Sequence, residues 1–130
     1  MAGSASLKLV LTVFMLLLAS VTGSAHSRGP AEAETPATIS IAEMPAQGSQ
    51  TYQLIVQGGP FPYEKDGMVF GNRERLLPGN SRGYYREYTV NTPGIKHRGM
   101  RRIVCGGAPK SPDSCYYTAD HYSSFRRIVP

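Results

Sequence analysis

Proline and glycine punctuate the second half of this chain so densely that it can form only short extended pieces. Pro60, Pro62, Gly67, Gly71, Pro78, Gly79, Gly83, Pro93, Gly94 and Gly99 break the chain after residue 60 into short pieces. Between them lie runs rich in β-branched and aromatic residues: 68–70, 84–90, 101–105, 115–118 and 125–129. Upstream, 38–42 alternates weakly and is read as one more short strand. The only helix candidate is 45–56. Pro45 suits a first helical turn, and Gly58-Gly59-Pro60 stops it. Its apolar face is thin, made of Tyr52, Ile55 and Val56 with Leu54 nearby. The pattern predicts an α+β domain, one N-terminal helix packed on an antiparallel β-sheet. No internal repeat interrupts it.

With 130 residues there is material for one domain. Lys8, the apolar run 9–21 and the small residues Gly23-Ser24-Ala25 have the layout of a secretory signal peptide. The run is short for a membrane span, so 1–25 is read as a removed signal, with an uncleaved anchor as the alternative. Residues 26–37 are polar, small and proline-containing, a flexible leader. The folded part is then 38–130, exported, and without a membrane contact after signal cleavage. Cys105 and Cys115 are the two cysteines. In an exported chain an even count reads as one disulfide, and two free thiols are the alternative. No histidine falls beside them at a zinc-like spacing, so no metal site is expected.

The net charge of +5 suits a polyanionic partner such as RNA or an acidic membrane. A membrane-active defence protein would need an amphipathic basic helix, and the sequence has none. On the sheet half stand one carboxylate, two arginines and a histidine of possible chemical use. In strand 84–90, alternation puts Tyr85, Glu87 and Thr89 on one face and Tyr84, Arg86, Tyr88 and Val90 on the other. Arg98, Arg101 and Arg102 follow the Pro93-Gly94 turn, and Arg101 and Arg102 must point to opposite faces. His121 lies between two strands. Taken singly, each has a bland reading as a solvated side chain. As a set they suit attack by a ribose 2′-OH on its own phosphodiester, a reaction whose nucleophile is already tethered and needs no metal.

The segments Gly59-Pro60-Phe61-Pro62-Tyr63, Asn72-Arg73-Glu74, Gly83-Tyr84-Tyr85, Glu87-Tyr88-Thr89-Val90, Thr92-Pro93-Gly94, Arg101-Arg102-Ile103 and Tyr116-Tyr117-Thr118, followed by Asp120-His121-Tyr122, resemble the bacterial secreted guanyl-specific ribonucleases. The likeness is to the streptomycete enzymes, with barnase a more distant relative, and it runs from residue 38 to the C-terminus. It implies that Glu87 is the general base, His121 the general acid, and Arg98 and Arg102 a phosphate clamp. Guanine recognition then falls on Phe70, Gly71, Asn72, Arg73 and Glu74, with Tyr122 completing the pocket. Glu74 accepts from the guanine N1–H and amino group, backbone N–H groups meet O6 and N7, and Phe70 stacks on the ring. The implied substrate is single-stranded RNA, the implied state a monomer without cofactor, and the implied partner an intracellular barstar-like inhibitor. The same positions filled without turnover would give a guanine-preferring RNA-binding module. Three departures stand out. Ser40 replaces the first cysteine of an end-to-end bridge that the streptomycete enzymes carry, the connection 106–114 is longer, and Gly71 occupies a loop position where a side chain is usual.

Overall fold

The computed structural model describes residues 36–130. The predicted signal peptide and most of the predicted leader lie outside the described residues. The order of elements is β1 (Ala37–Ser40), α1 (Ala46–Gln57), β2 (Met68–Val69), β3 (Tyr85–Thr89), β4 (Arg102–Ala108), β5 (Ser111–Thr118) and β6 (Arg126–Val129). All six strands join one sheet in the order β1-β6-β5-β4-β3-β2. The predicted α+β architecture holds, with one correction. β1 and β6 pair in parallel, Ile39 opposite Ile128, while the other four pairs are antiparallel.

α1 starts at Pro45, which occupies the cap position without a side-chain hydrogen bond. It ends at Gly58, left-handed at φ 86°, whose N–H donates to the Leu54 and Ile55 carbonyls. Gly59 N–H also returns to the Leu54 oxygen, at 2.9 Å. Gly58 takes that conformation without the strain a β-carbon would bring, and its N–H closes the last turn, so the helix ends here. The buried stripe is Gly48, Thr51 and Ile55, spaced as one helical face. Val56, predicted to join that face, is 48% exposed. The face is partly polar instead, because Thr51 donates its hydroxyl to the Thr89 carbonyl of β3 at 3.1 Å.

The sheet is covered on both sides. Toward the helix, Ile39, Ile55, Tyr88, Val90, Ile103 and Tyr117 pack with the Cys105–Cys115 bridge. On the opposite side a smaller cluster contains Leu77, Tyr85, Val104, Tyr116 and Phe125. Strand alternation therefore divides Tyr88 from Glu87, as predicted, and it divides Ile103 from Arg102 in the same way. Tyr84 departs from it. It precedes β3 and packs with the second cluster, its ring edge-on to Tyr85 at 4.8 Å.

The connection 106–114 is a continuation of the hairpin. β4 and β5 remain paired out to Ala108 and Ser111, with a bulge at Gly106/Gly107. Glycine at 106 is required by packing. A β-carbon there would lie 2.2 Å from a Tyr84 ring carbon. The Tyr84 hydroxyl crosses this gap and donates to Asp113 Oδ2 at 2.8 Å, which pushes its pKa up. Cys105 and Cys115 are directly opposed in the ladder and are bonded. The ends of the fold are joined by β1–β6 pairing, continued by Ile41 N–H to the Val129 carbonyl at 3.0 Å. Ser40 and Glu43 bond each other's backbone N–H through their side chains, at 3.2 and 3.1 Å, closing the turn after β1.

The bridge closes a loop with a sequence separation of 10. A Cys105→Ser, Cys115→Ser double variant is expected to lose about 2–3 kcal/mol of stability through the freer unfolded chain. Urea unfolding of the oxidised parent and the double variant measures it. An unchanged midpoint would show that hairpin pairing alone restricts this segment.

Candidate active site

The second face of the sheet carries the chemistry. Glu87 sits in the middle of β3, opposite Met68 on one side and Val104 on the other. It is 16% exposed, and both of its oxygens are engaged. Arg98 donates from an NH₂ group to Oε1 at 3.2 Å, and Tyr122 donates its hydroxyl to Oε2 at 2.8 Å. Arg98 is anchored by its Nε–H to Thr89 Oγ1 at 3.0 Å, the residue two positions along the same face.

Arg102 begins β4 between Thr89 and Thr118 and is 3% exposed. One guanidinium nitrogen donates to the Arg101 carbonyl at 2.8 Å and, more weakly, to the Arg98 carbonyl at 3.4 Å. Its Nε has no partner among the described residues. The bland reading of a strand arginine as a solvated surface charge is therefore wrong for Arg102. Its carbon CZ lies 6.0 Å from the centre of the Tyr122 ring. Arg101 contributes its carbonyl to this arrangement.

His121 is exposed on a turn that two side chains hold. Asp120 accepts from Ser124 N–H at 2.9 Å, from the Ser124 hydroxyl at 2.6 Å and from Thr118 Oγ1 at 2.9 Å. Thr118 Oγ1 in turn accepts from Tyr122 N–H at 3.2 Å. His121 N–H bonds the Met100 carbonyl at 3.0 Å. The turn needs these ties, because His121 and Tyr122 both adopt left-handed backbone, φ 52° and 71°, which L side chains disfavour. The Ser124 hydroxyl, ahead of the other donors, holds the Asp120 carboxyl below its ordinary 3.8. Burial and then the bond to Glu87 push the Tyr122 hydroxyl up to about 12, so it remains a donor throughout the neutral range.

Glu87, His121 and Tyr122 line one cleft of about 630 Å³, whose other wall is the loop from Phe70 to Glu74. Arg98 and Arg102 do not line it; Arg98 bonds Glu87 from the side, and Arg102 lies beside the Tyr122 ring. In the loop, Asn72 is left-handed at φ 49°, and its amide spans Leu77, donating to the carbonyl at 2.9 Å and accepting from the N–H at 3.1 Å. Its side chain is thereby used up in shaping the loop. The backbone N–H groups of residues 71–74 find no acceptor among the described residues. Glu74 is exposed beside them. Phe70 and Tyr122 stack on each other, centroids 5.1 Å apart and planes 27° from parallel. Among the described residues no His, Cys, Asp and Glu group forms a metal cage.

The four predicted catalytic residues and the predicted recognition loop thus meet at one end of the sheet. Sequence reasoning missed the partners. Thr89 was visible as sharing Glu87's face. Thr118 and Asp120 stand in segments that carry the family likeness, but their role in holding the His121 turn was not read, since it depends on hydrogen bonds that only the folded turn brings together.

A ribonuclease family profile matches residues 27–129. This chain belongs to the ribonuclease family. The guanyl-specific ribonuclease Sa3 of Kitasatospora aureofaciens is 54% identical over 90 residues, 69% of this chain and 62% of that protein's length. Guanyl-specific ribonuclease Sa of the same organism is 50% identical over 91 residues, 70% of this ribonuclease and 92% of its relative. Ribonuclease St of Saccharopolyspora erythraea is 49% identical over 91 residues, covering 70% and 86%. Ribonuclease Sa2 solved with mononucleotides superposes with TM-score 0.69 at 44% identity, over 74% of this chain and 96% of that one. Its structure with guanosine-2′-cyclophosphate gives 0.67 at the same identity, over 74% and 98%. The likeness read from the sequence is borne out in both family and fold.

The Asp120 turn makes a measurable claim about this ribonuclease. The folded carboxyl titrates below 3.8, so its contribution is full above that pH and is lost as pH falls through the folded value. Asp120→Asn should lower the melting temperature at pH 7, and the gap to the parent should shrink by pH 3. Thermal melts at both pH values measure it, and a gap independent of pH would mean that the charge does not hold the turn.

Proposed function

We propose that this ribonuclease is a secreted endoribonuclease that cleaves single-stranded RNA after guanosine, without a metal. The observation that carries the reading is the convergence of Glu87 and His121 on one cleft, with Arg98 bonded to Glu87 and Arg102 buried behind Tyr122. The guanosine-2′-cyclophosphate bound by ribonuclease Sa2 supports both the base and the intermediate.

In the first step Glu87 takes the proton of the ribose 2′-OH. The 2′-oxygen bonds to phosphorus, the bond from phosphorus to the 5′-oxygen breaks, and His121 gives that oxygen a proton. The products are a 2′,3′-cyclic phosphate and a free 5′-hydroxyl. Arg98 and Arg102 offset the charge that builds on the phosphoryl oxygens. Water then opens the ring with the two roles exchanged, leaving a 3′-phosphate. The absolute need for a 2′-OH excludes DNA.

The base is read by donors and acceptors on its edge, as unstacked RNA bases generally are. The free N–H groups of the 71–74 loop face O6 and N7, and the Glu74 carboxylate faces N1–H and the amino group. Stacking a base between Phe70 and Tyr122 requires roughly 7 Å between the rings, two contacts of about 3.5 Å. They stand 5.1 Å apart, so one of them yields when the base enters. A swing of Tyr122 also frees Glu87 Oε2 for the 2′-OH, which couples base binding to activation of the base catalyst. Outside the cell the enzyme acts as a monomer. Inside, a barstar-like protein inhibitor protects host RNA before export.

Glu87→Gln should flatten the acid limb of a bell-shaped rate profile and His121→Gln the alkaline limb, each with a loss on the order of 10²-fold or more. Rates on a dinucleotide across pH 4–9, with the cyclic product resolved by chromatography, test this in the presence of a chelator. A strict need for a divalent cation, or no cyclic intermediate, would overturn the mechanism.

Specificity has its own test. Glu74 makes no hydrogen bond among the described residues, so its loss should cost the fold little. Glu74→Ala should leave the melting temperature nearly unchanged and cut cleavage after guanosine by roughly 10-fold or more, one charge-assisted contact or two. Full guanosine preference in the variant, read from the ends of a mixed-sequence RNA digest, would remove Glu74 from base recognition.

A further inference from the structure

A second cleft, of about 540 Å³, lies on the far side of the recognition loop. Residues 69–73 form the wall shared by the two clefts. The opposite wall is the turn 80–83, and Tyr85 of β3 lies beneath. Among the described residues its lining holds two guanidiniums, Arg73 and Arg82, and no carboxylate. Asn80 uses its Oδ1 on Ser81 N–H at 2.9 Å, leaving its amide N–H groups unengaged. A cleft of this kind takes an anion with hydrogen-bond acceptors.

Its position along β3 says which anion. On the site face of the strand, Tyr85, Glu87 and Thr89 follow one another at intervals of roughly 7 Å. Thr89 is the anchor of Arg98 and the register partner of Arg102. The phosphate clamp therefore lies on one side of Glu87 and the second cleft on the other. A guanosine whose 2′-OH meets Glu87 sends its 3′-phosphate to the clamp. The strand attached to its 5′-oxygen leaves in the opposite direction, toward Tyr85. We propose that the second cleft is a subsite for the RNA phosphate on the 5′ side of the cleaved guanosine, held by Arg82 with Asn80 beside it. The inference rests on the ribonuclease reading of the first cleft. It makes the enzyme favour guanosines inside a strand over guanosines at a 5′ end.

Arg82 is exposed and its side chain makes no hydrogen bond or ion pair among the described residues, so its variants should fold normally. The substrates are GpU, UpUpGpU and GpUpU, each with one guanosine. The parent should show a higher kcat/KM on UpUpGpU than on GpU. Arg82→Ala should lower kcat/KM on UpUpGpU by roughly three- to tenfold, mainly through KM, and Arg82→Glu by more. Both should leave GpU and GpUpU unchanged. The slope of log kcat/KM against log salt on UpUpGpU should fall by about one in Arg82→Ala. Equal losses on all three substrates, or a loss on GpUpU alone, would overturn the subsite while GpU cleavage leaves the ribonuclease reading standing. No cleavage of GpU by the parent would overturn that reading, and the subsite with it.

Discussion

One row of the sheet carries the site. Thr89 of β3, Arg102 of β4 and Thr118 of β5 are successive register partners across the strands. Each end of the row holds a separate piece of irregular chain. Thr89 Oγ1 accepts from Arg98, which belongs to the loop before β4. Thr118 Oγ1 accepts from Tyr122 N–H and donates to Asp120, which fixes the turn bearing His121. Arg102 stands between them. A slip of one residue in β3–β4 or β4–β5 pairing would turn each of these side chains to the helix side. The relative positions of arginines, histidine and carboxylate therefore follow from strand register, and only their last few ångströms from side-chain hydrogen bonds.

That register is held from the other face. Ile103, Val90 and Tyr117 alternate with the row's residues and lie buried under α1. The Cys105–Cys115 bridge crosses the same β4–β5 pair three residues beyond Arg102. Packing on that face opposes a cost on this one. Arg102 is an almost fully buried cation whose Nε lacks a partner, and the carbonyls it bonds supply only partial negative charge. A buried guanidinium held this way is destabilising relative to an apolar residue of similar size. The same arrangement is useful for binding an anion. The guanidinium is already stripped of water and fixed in direction, so an anion would meet it with little reorganisation. The core on both faces of the sheet carries the cost of holding it so.

The fold was legible wherever it follows from local chemistry. Gly58 and Pro45 bound the helix because their backbone preferences act within a residue or two. The alternation in 84–90 separated Glu87 from Tyr88 because period two is intrinsic to a strand. Reasoning failed where a distant residue decides. Tyr84 looks like the first residue of the strand, but its ring is drawn over Gly106 and its hydroxyl to Asp113, both far along the chain. The glycines at 106 and 107 read as a loop signal. They are a bulge that lets β4 and β5 continue, with glycine needed for the aromatic ring that lies against it. The parallel β1–β6 pair depends on the two ends of the domain meeting and left no local trace.

The site divides in the same way. Residue types suggested a carboxylate, arginines and a histidine, and family likeness chose among them. Neither reveals that Arg102 is buried. Arg101 and Arg102 are chemically identical neighbours, and only the packing of Ile103 beneath α1 decides which of the two faces Glu87's side. Tyr122 is the sharper case. From sequence it is a pocket wall. In the folded protein its hydroxyl occupies Glu87 Oε2 and its ring covers Phe70. One side chain thus covers Phe70 and occupies a Glu87 oxygen at once. That combination arises because His121 and Tyr122 share a left-handed turn, and the turn exists because Asp120 ties Thr118 to Ser124. The residue types can be read from the sequence, but the left-handed conformation of His121 and Tyr122 cannot, because it is set by side-chain bonds formed only in the folded turn.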